Sequence, residues 1–303
     1  MPPRPKAGLR PLETPRSWLG LLDLLFGGSW NPSLGRFRLP YAFRGHAVRT
    51  EDLSSGLLRL AAGRSDIGRL EHHLLRNFRK YAYGRVGGSI WKWLALGQHR
   101  GLPTRLLDWT YSPFVALHFA TADLATMDED GEVWAINFVA ANRHLPRAVK
   151  DILRAEGSDT VTVEMLGAFR TLEAFDRLAS RPFVVFLEPP SLDRHIVNQF
   201  SLFSLMSNPQ TRLDDWTARH AALVRRIVIP AALKWEIRDK LDQANINERV
   251  LFPGLDGLSR WLTRYYWRKP AHLRPTGSRV EAARGIATRL SLISGRRSSS
   301  RSR

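Results

Sequence analysis

In the stretch YAFRGHAVR a guanidinium, that of Arg44, stands between an aromatic run and Gly45. A guanidinium offers paired donors in one plane, a geometry that suits carboxylate and phosphate oxygens better than an ammonium does. The glycine after it removes a Cβ and lets a ligand or another backbone come close. A denser group of polar residues lies in QHRGLPTRLLDWT: Gln98, His99, Thr104, Arg105, Asp108 and Thr110, with Trp109 among them. Their surroundings are apolar. Buried polar groups need partners, and a ligand cleft is one way of providing them. A third stretch, DRHIVNQFSLF, contributes Gln199. Its amide can hydrogen-bond a hydroxyl but brings no negative charge to a developing cation.

Each feature also has a plain structural reading. Arg105 and Asp108 could form a buried ion pair beneath Trp109, with His99 orienting it. A lone histidine is weak evidence for acid–base work. Arg44 could simply end a strand at the surface. Other chemistry lacks its parts, since the sequence has no HExxH, no GxSxG and no P-loop. His72 and His73 are adjacent, which on a helix turns their imidazoles about 100° apart, a poor start for a metal site. No metal is expected.

Elements able to hold these residues can be read from the pattern. RFRLPYAFRG reads as a strand interrupted by Pro40 and closed in a turn by Gly45. Leu70, Leu74, Leu75, Phe78 and Tyr81 recur at helical spacing. A second helix starts at Ser89 and stops near Gly97. TRLLDWT is extended, and Ser112 with Pro113 opens a helix that is apolar on most sides. EVWAINFV is a strand, residues 146–180 are helical, and RPFVVFLEPP is a strand. RHIVNQFSLFSLMS and ARHAALVRRIVIP form a strand pair, followed by a helix in LKWEIRDKLDQANI. The strands lack the regular spacing of parallel βαβ units. The expectation is one α+β domain over residues 17–267, with a mixed or antiparallel sheet and flanking helices.

Charge divides unevenly along the 303 residues, whose formal net charge is +18. Residues 268–303 hold ten Lys or Arg against Glu281, and residues 1–16 hold four against Glu13, leaving +6 for residues 17–267. Both ends read as basic and disordered. The tail SGRRSSSRSR suits contact with nucleic acid through phosphates, or serves only to solubilise. RYYWRK, residues 264–269, interleaves aromatics with bases in the manner of a single-strand binder, or ends the last helix against the core. With no cysteine, disulfides and thiolate metal sites are excluded. WLGLLDLLFGG carries Asp23 and reads as an amphipathic helix with Trp18, Leu21, Leu22 and Leu25 on one face, rather than as a leader. No window approaches the roughly 20 apolar residues of a membrane span. A soluble, cytoplasmic protein without membrane contact is expected.

YAFRG, QHRGLPTRLLDWT with SPFVALHFA, DRHIVNQFSLF and INERVLFPGLDGLSRWL together resemble the FRG domain family, named for its Phe-Arg-Gly signature, over most of residues 30–265. That family name supplies no activity. The order of parts is also similar, more weakly, to ADP-ribosyltransferases, which implies an α+β split sheet, NAD as co-substrate and a role as a toxin or phage-defence effector. Carried across, Arg44 grips NAD and Gly45 admits its pyrophosphate. Thr104 or Thr110 supplies a second-strand hydroxyl, and Trp109 offers a face to the nicotinamide. Gln98, His99 and Arg105 complete the cofactor-binding group. Gln199 stands where those enzymes have a glutamate, so Asp108, Glu188 or Glu248 would supply the charge. The acceptor, protein or nucleic acid, stays open. So does the alternative of a non-catalytic nucleotide- or nucleic-acid-binding module.

Overall fold

The computed structural model describes residues 12–49, 52–82 and 88–267. The proposed disordered segments lie outside the described residues, except at 12–16. There the chain is placed: the Glu13 main chain bonds Arg226 and Val228, and its carboxylate pairs with Arg225 at 3.0 Å. By contacts the chain divides into two compact units, Met1–Trp261 and Leu262–Arg303. The sheet and the sites described below belong to the first.

The architecture is α+β. β1 (Trp30–Asn31) and β2 (Arg36–Phe37) make a small antiparallel pair. The main sheet contains β3 (Tyr41–His46), β4 (Leu106–Thr110), β5 (Gly131–Asn137), β6 (Val161–Thr162), β7 (Val184–Glu188), β8 (Ser201–Met206) and β9 (Val224–Ile229). Their spatial order is β6-β7-β8-β4-β3-β5-β9, with β6 and β7 parallel and the other neighbours antiparallel. The two late strands expected to pair are therefore apart: β8 lies between β7 and β4, whereas β9 is an edge strand beside β5.

In chain order the helices begin with α1 (Trp18–Phe26), α2 (Gly56–Ala61), α3 (Ile67–Tyr81), α4 (Ile90–His99) and α5 (Pro113–Thr121). They continue with α6 (Phe138–Ala141), α7 (Arg147–Glu156), α8 (Leu172–Asp176), α9 (Arg194–Asn198) and α10 (Leu213–Arg219), and end with α11 (Ala231–Gln243), α12 (Glu248–Leu251) and α13 (Leu255–Tyr265). Ser17, Ser55, Ser89 and Ser112 each cap a helix by accepting from a main-chain N–H, a contact worth about 1 kcal/mol apiece. The stretch 146–180 is less helical than its composition suggests, because β6 and a 3-10 turn separate α7 from α8. RHIVN is the short helix α9, not strand, since Asp193 caps it from both His195 and Ile196.

Alternation along the strands sends neighbouring residues to different cores. Phe43, Val133, Ala135 and Ile227 pack against Ala116, Leu117 and Ala120 of α5 and Ile237 of α11. Ala42, Trp109, Trp134 and Ile136 pack instead with Phe186 and Trp216. A third core joins Leu106, Phe203 and Leu205 to Trp91 and Leu94 of α4. Each fully buried leucine or phenylalanine contributes about 1.5–3 kcal/mol, so these layers fix the strands that carry the polar groups. No helix among the described residues is long and apolar enough to cross a membrane.

Candidate functional site

β3 and β4 are neighbours that share a single register pair, Phe43 with Thr110. Beyond it, Arg44, Gly45 and His46 pair with Trp134, Val133 and Glu132 of β5, while Leu106 to Trp109 pair with β8. The sheet is thus split at its centre. A cavity of about 330 Å³ occupies the split, lined by Phe43, Arg44, Gly45 and Asp108 to Thr110 of the two strands. Gln199, Ser201, Phe119 and Phe252 complete its wall.

Arg44 Nη1 donates to the Asp108 carbonyl oxygen at 2.6 Å, so a side chain spans the gap where a ladder bond is missing. Its Nε is buried and has no hydrogen-bond partner among the described residues. Burial lowers the Arg44 pKa against the pull of Asp108. Next to it, His46 Nε2 is likewise buried without a partner. Burial first, and the Arg44 guanidinium second, push the His46 imidazole from 6.5 down to about 3, so it is neutral at pH 7.

Gly45 lies within β3 rather than closing it. A Cβ there would fall 1.9 Å from the Ala116 carbonyl oxygen and 2.8 Å from the Ala120 nitrogen. The close approach that this glycine permits is that of helix α5.

Asp108 is exposed, and its carboxylate belongs to a relay. Thr104 Oγ1 donates to Gln98 Oε1 at 2.6 Å, and Gln98 Nε2 donates to Asp108 Oδ2 at 2.8 Å. Thr104 is buried and also accepts from the Leu106 N–H, so it positions Gln98 and does not line the cleft. Asp108 is the sole carboxylate lining the cleft among the described residues. Glu188 is held by Tyr111 Oη and Thr160 Oγ1, and Glu248 is buried against Arg238.

Thr110 and Gln199 meet in the cleft wall, but with much of their hydrogen-bonding capacity committed. Thr110 Oγ1 donates to the Gln199 carbonyl at 2.7 Å and accepts from the Ser112 N–H at 3.0 Å. Gln199 Nε2 donates to the Leu251 carbonyl at 3.0 Å, and Asn198 Nδ2 to that of Val250 at 2.7 Å. These two amides peg the turn after α9 to α12 and so set Phe252 at the cleft.

Arg105 and His99 are carried elsewhere, and Trp109 lines the cleft while buried. The Arg105–Asp108 pair does not form. Arg105 is buried with Glu71, its Nε 2.8 Å from Oε1, and with Asp176 at 2.6 Å. Burial alone would lower the Arg105 pKa, but the two carboxylates outweigh it and raise it. His99 pairs with Asp193 at 2.5 Å instead of orienting Arg105. Trp109 is buried, its indole N–H donating to Ser204 Oγ at 2.9 Å and its ring edge-on to Phe186, so its face is not offered to a ligand. Phe43, Phe119, Ser201 and Phe252 are the lining residues that sequence reasoning missed. Phe119 reads as one apolar residue of a buried helix, and no local signal separates it from its neighbours Phe114 and Leu117.

A model of the FRG domain family matches residues 39–129, a span that takes in Arg44, Gly45, Gln98, Asp108, Thr110 and Phe119. Gln199, Ser201 and Phe252 lie beyond that span. No curated protein and no solved structure matches the chain.

Proposed function

We propose that this chain, which carries an FRG domain over residues 39–129, binds NAD in the split between β3 and β4 and cleaves its glycosidic bond. One observation carries the reading: a single cleft carboxylate, Asp108, stands on the strand that Arg44 reaches across the gap. The guanidinium suits the diphosphate, and the rings of Phe119 and Phe252, which line the cleft, suit a flat ring. As the C1′–N bond breaks, its electron pair passes to the nicotinamide nitrogen, which becomes neutral. Positive charge develops on the ribose, where Asp108, held by Gln98, stabilises it. An acceptor nucleophile then bonds C1′ and releases its proton to solvent. The test is nicotinamide release from NAD by the full chain and by Asp108→Asn. Release by the wild type that the variant loses supports the reading, and a wild type that releases none overturns it.

Binding without cleavage is the second reading, favoured by Gln199, whose amide is pegged to Leu251 where a transferase needs a free acid. It predicts that NAD raises the melting temperature while no nicotinamide appears.

A further inference from the structure

A second cavity is larger than the split. It measures about 930 Å³ and lies between α3 and residues 170–176, with Arg105 among its lining residues. We propose that it binds a nucleotide through its phosphates, at a site separate from the cleft between β3 and β4.

The charge pattern carries this assignment. Arg76, Arg79 and Lys80 line the cavity from the last turns of α3, and Arg170 lines it from the other wall. Arg76 and Arg79 are three residues apart in α3, about 4.5 Å along the axis, so both present to the same side. All four cations are exposed, and none has an ion-pair partner among the described residues. Arg79 rests over the Trp93 ring, 5.9 Å from its centroid, which leaves its donors open.

Two of the three carboxylates that line the cavity among the described residues do not neutralise them. Glu71 and Asp176 are taken up by Arg105, which they enclose. Phosphate oxygens are the groups that planar guanidinium donors fit best.

The remaining lining selects a nucleotide over a bare polyphosphate. Leu75, Ile90, Trp93 and Leu172 give the cavity an apolar side against which a base can lie. Glu173 is exposed on α8 at the same cavity, and a carboxylate accepts from ribose hydroxyls or an exocyclic amine. The volume is in the range of small-ligand sites, about 300–1,000 Å³.

The experiment titrates the full chain with ATP and with inorganic tripolyphosphate by calorimetry, in wild type, Arg44→Ala and the double variant Arg76→Ser/Arg170→Ser. Both substituted positions in the double variant are exposed, and circular dichroism checks that its fold is retained. The expected result is ATP binding that persists in Arg44→Ala, falls at least tenfold in the double variant, and exceeds tripolyphosphate binding. Absence of ATP binding, or binding indifferent to the double variant, overturns the proposal. Equal affinity for tripolyphosphate overturns its nucleoside part. Because Arg44→Ala removes the cleft's own cation, failure here and failure of the NAD reading are seen separately.

Discussion

Arg44 and Asp108 are joined by a 2.6 Å hydrogen bond from guanidinium to main-chain carbonyl, at the place where β3 and β4 cease to pair. The arginine acts at once as a strap across the sheet and as a cation at the cleft. The two roles separate experimentally, because stability reports the strap and ligand affinity reports the cation.

Arg44→Ala is expected to lower stability by about 1.5–3 kcal/mol, the range for a hydrogen bond to a charged group, and to abolish NAD binding. Arg44→Lys should recover part of the stability and little of the affinity, because an ammonium lacks the paired donors of a guanidinium. Urea unfolding and calorimetric titration with NAD measure the two. Unchanged affinity in Arg44→Ala would leave the strap as its whole role.

Asp108→Asn should reduce nicotinamide release by about 100- to 1,000-fold, equivalent to about 2.7–4 kcal/mol, with little change in melting temperature because the side chain is exposed. Gln199→Glu should not raise turnover. It replaces the donor to the Leu251 carbonyl by an acceptor, and the expected result is a lower melting temperature. Turnover that rises in Gln199→Glu would show that position 199, not Asp108, governs the reaction.

Gly45→Ala is expected to destabilise by about 1–3 kcal/mol or more, as overpacking does, since its methyl would meet main-chain atoms of Ala116 that cannot turn aside. A denaturation midpoint equal to that of the wild type would mean that α5 shifts freely on β3.

His46 gives a pH signature. Its folded pKa of about 3 lies below the ordinary 6.5, so between these values the unfolded chain binds the proton and the folded chain does not. Its contribution is fully present above pH 6.5 and is lost progressively as pH falls towards 3. In His46→Phe this loss is absent. Comparing urea midpoints of the two proteins at pH 7 and pH 4 should show the wild type losing more; parallel losses would mean that His46 is protonated when folded.

Local pattern made the elements legible. The spacing from Leu70 to Tyr81 corresponds to α3, and Ser112 with Pro113 to the start of α5. The α+β class and the strand that bears Arg44 follow from the same kind of signal. Partners far apart in the chain were not legible. Arg105 finds Glu71 and Asp176, 34 and 71 positions away, whereas the nearby Asp108 turns to the cleft. Strand order depends on which faces bury together, so nothing near β8 or β9 announces that they do not pair. Gly45 was visible as a point of close approach, but the approaching group, a helix seventy residues on in sequence, was not.

The split in the sheet has a consequence for evolvability. A ligand bound in the gap as proposed would lie against the main chain of β3 and β4, strands that are interior to a seven-stranded sheet. Backbone groups are the same in every sequence, so contacts made to them escape both mutation and alanine scanning. Chains with different side chains between residues 106 and 110 can therefore keep a common grip on a ligand while changing what is done to it.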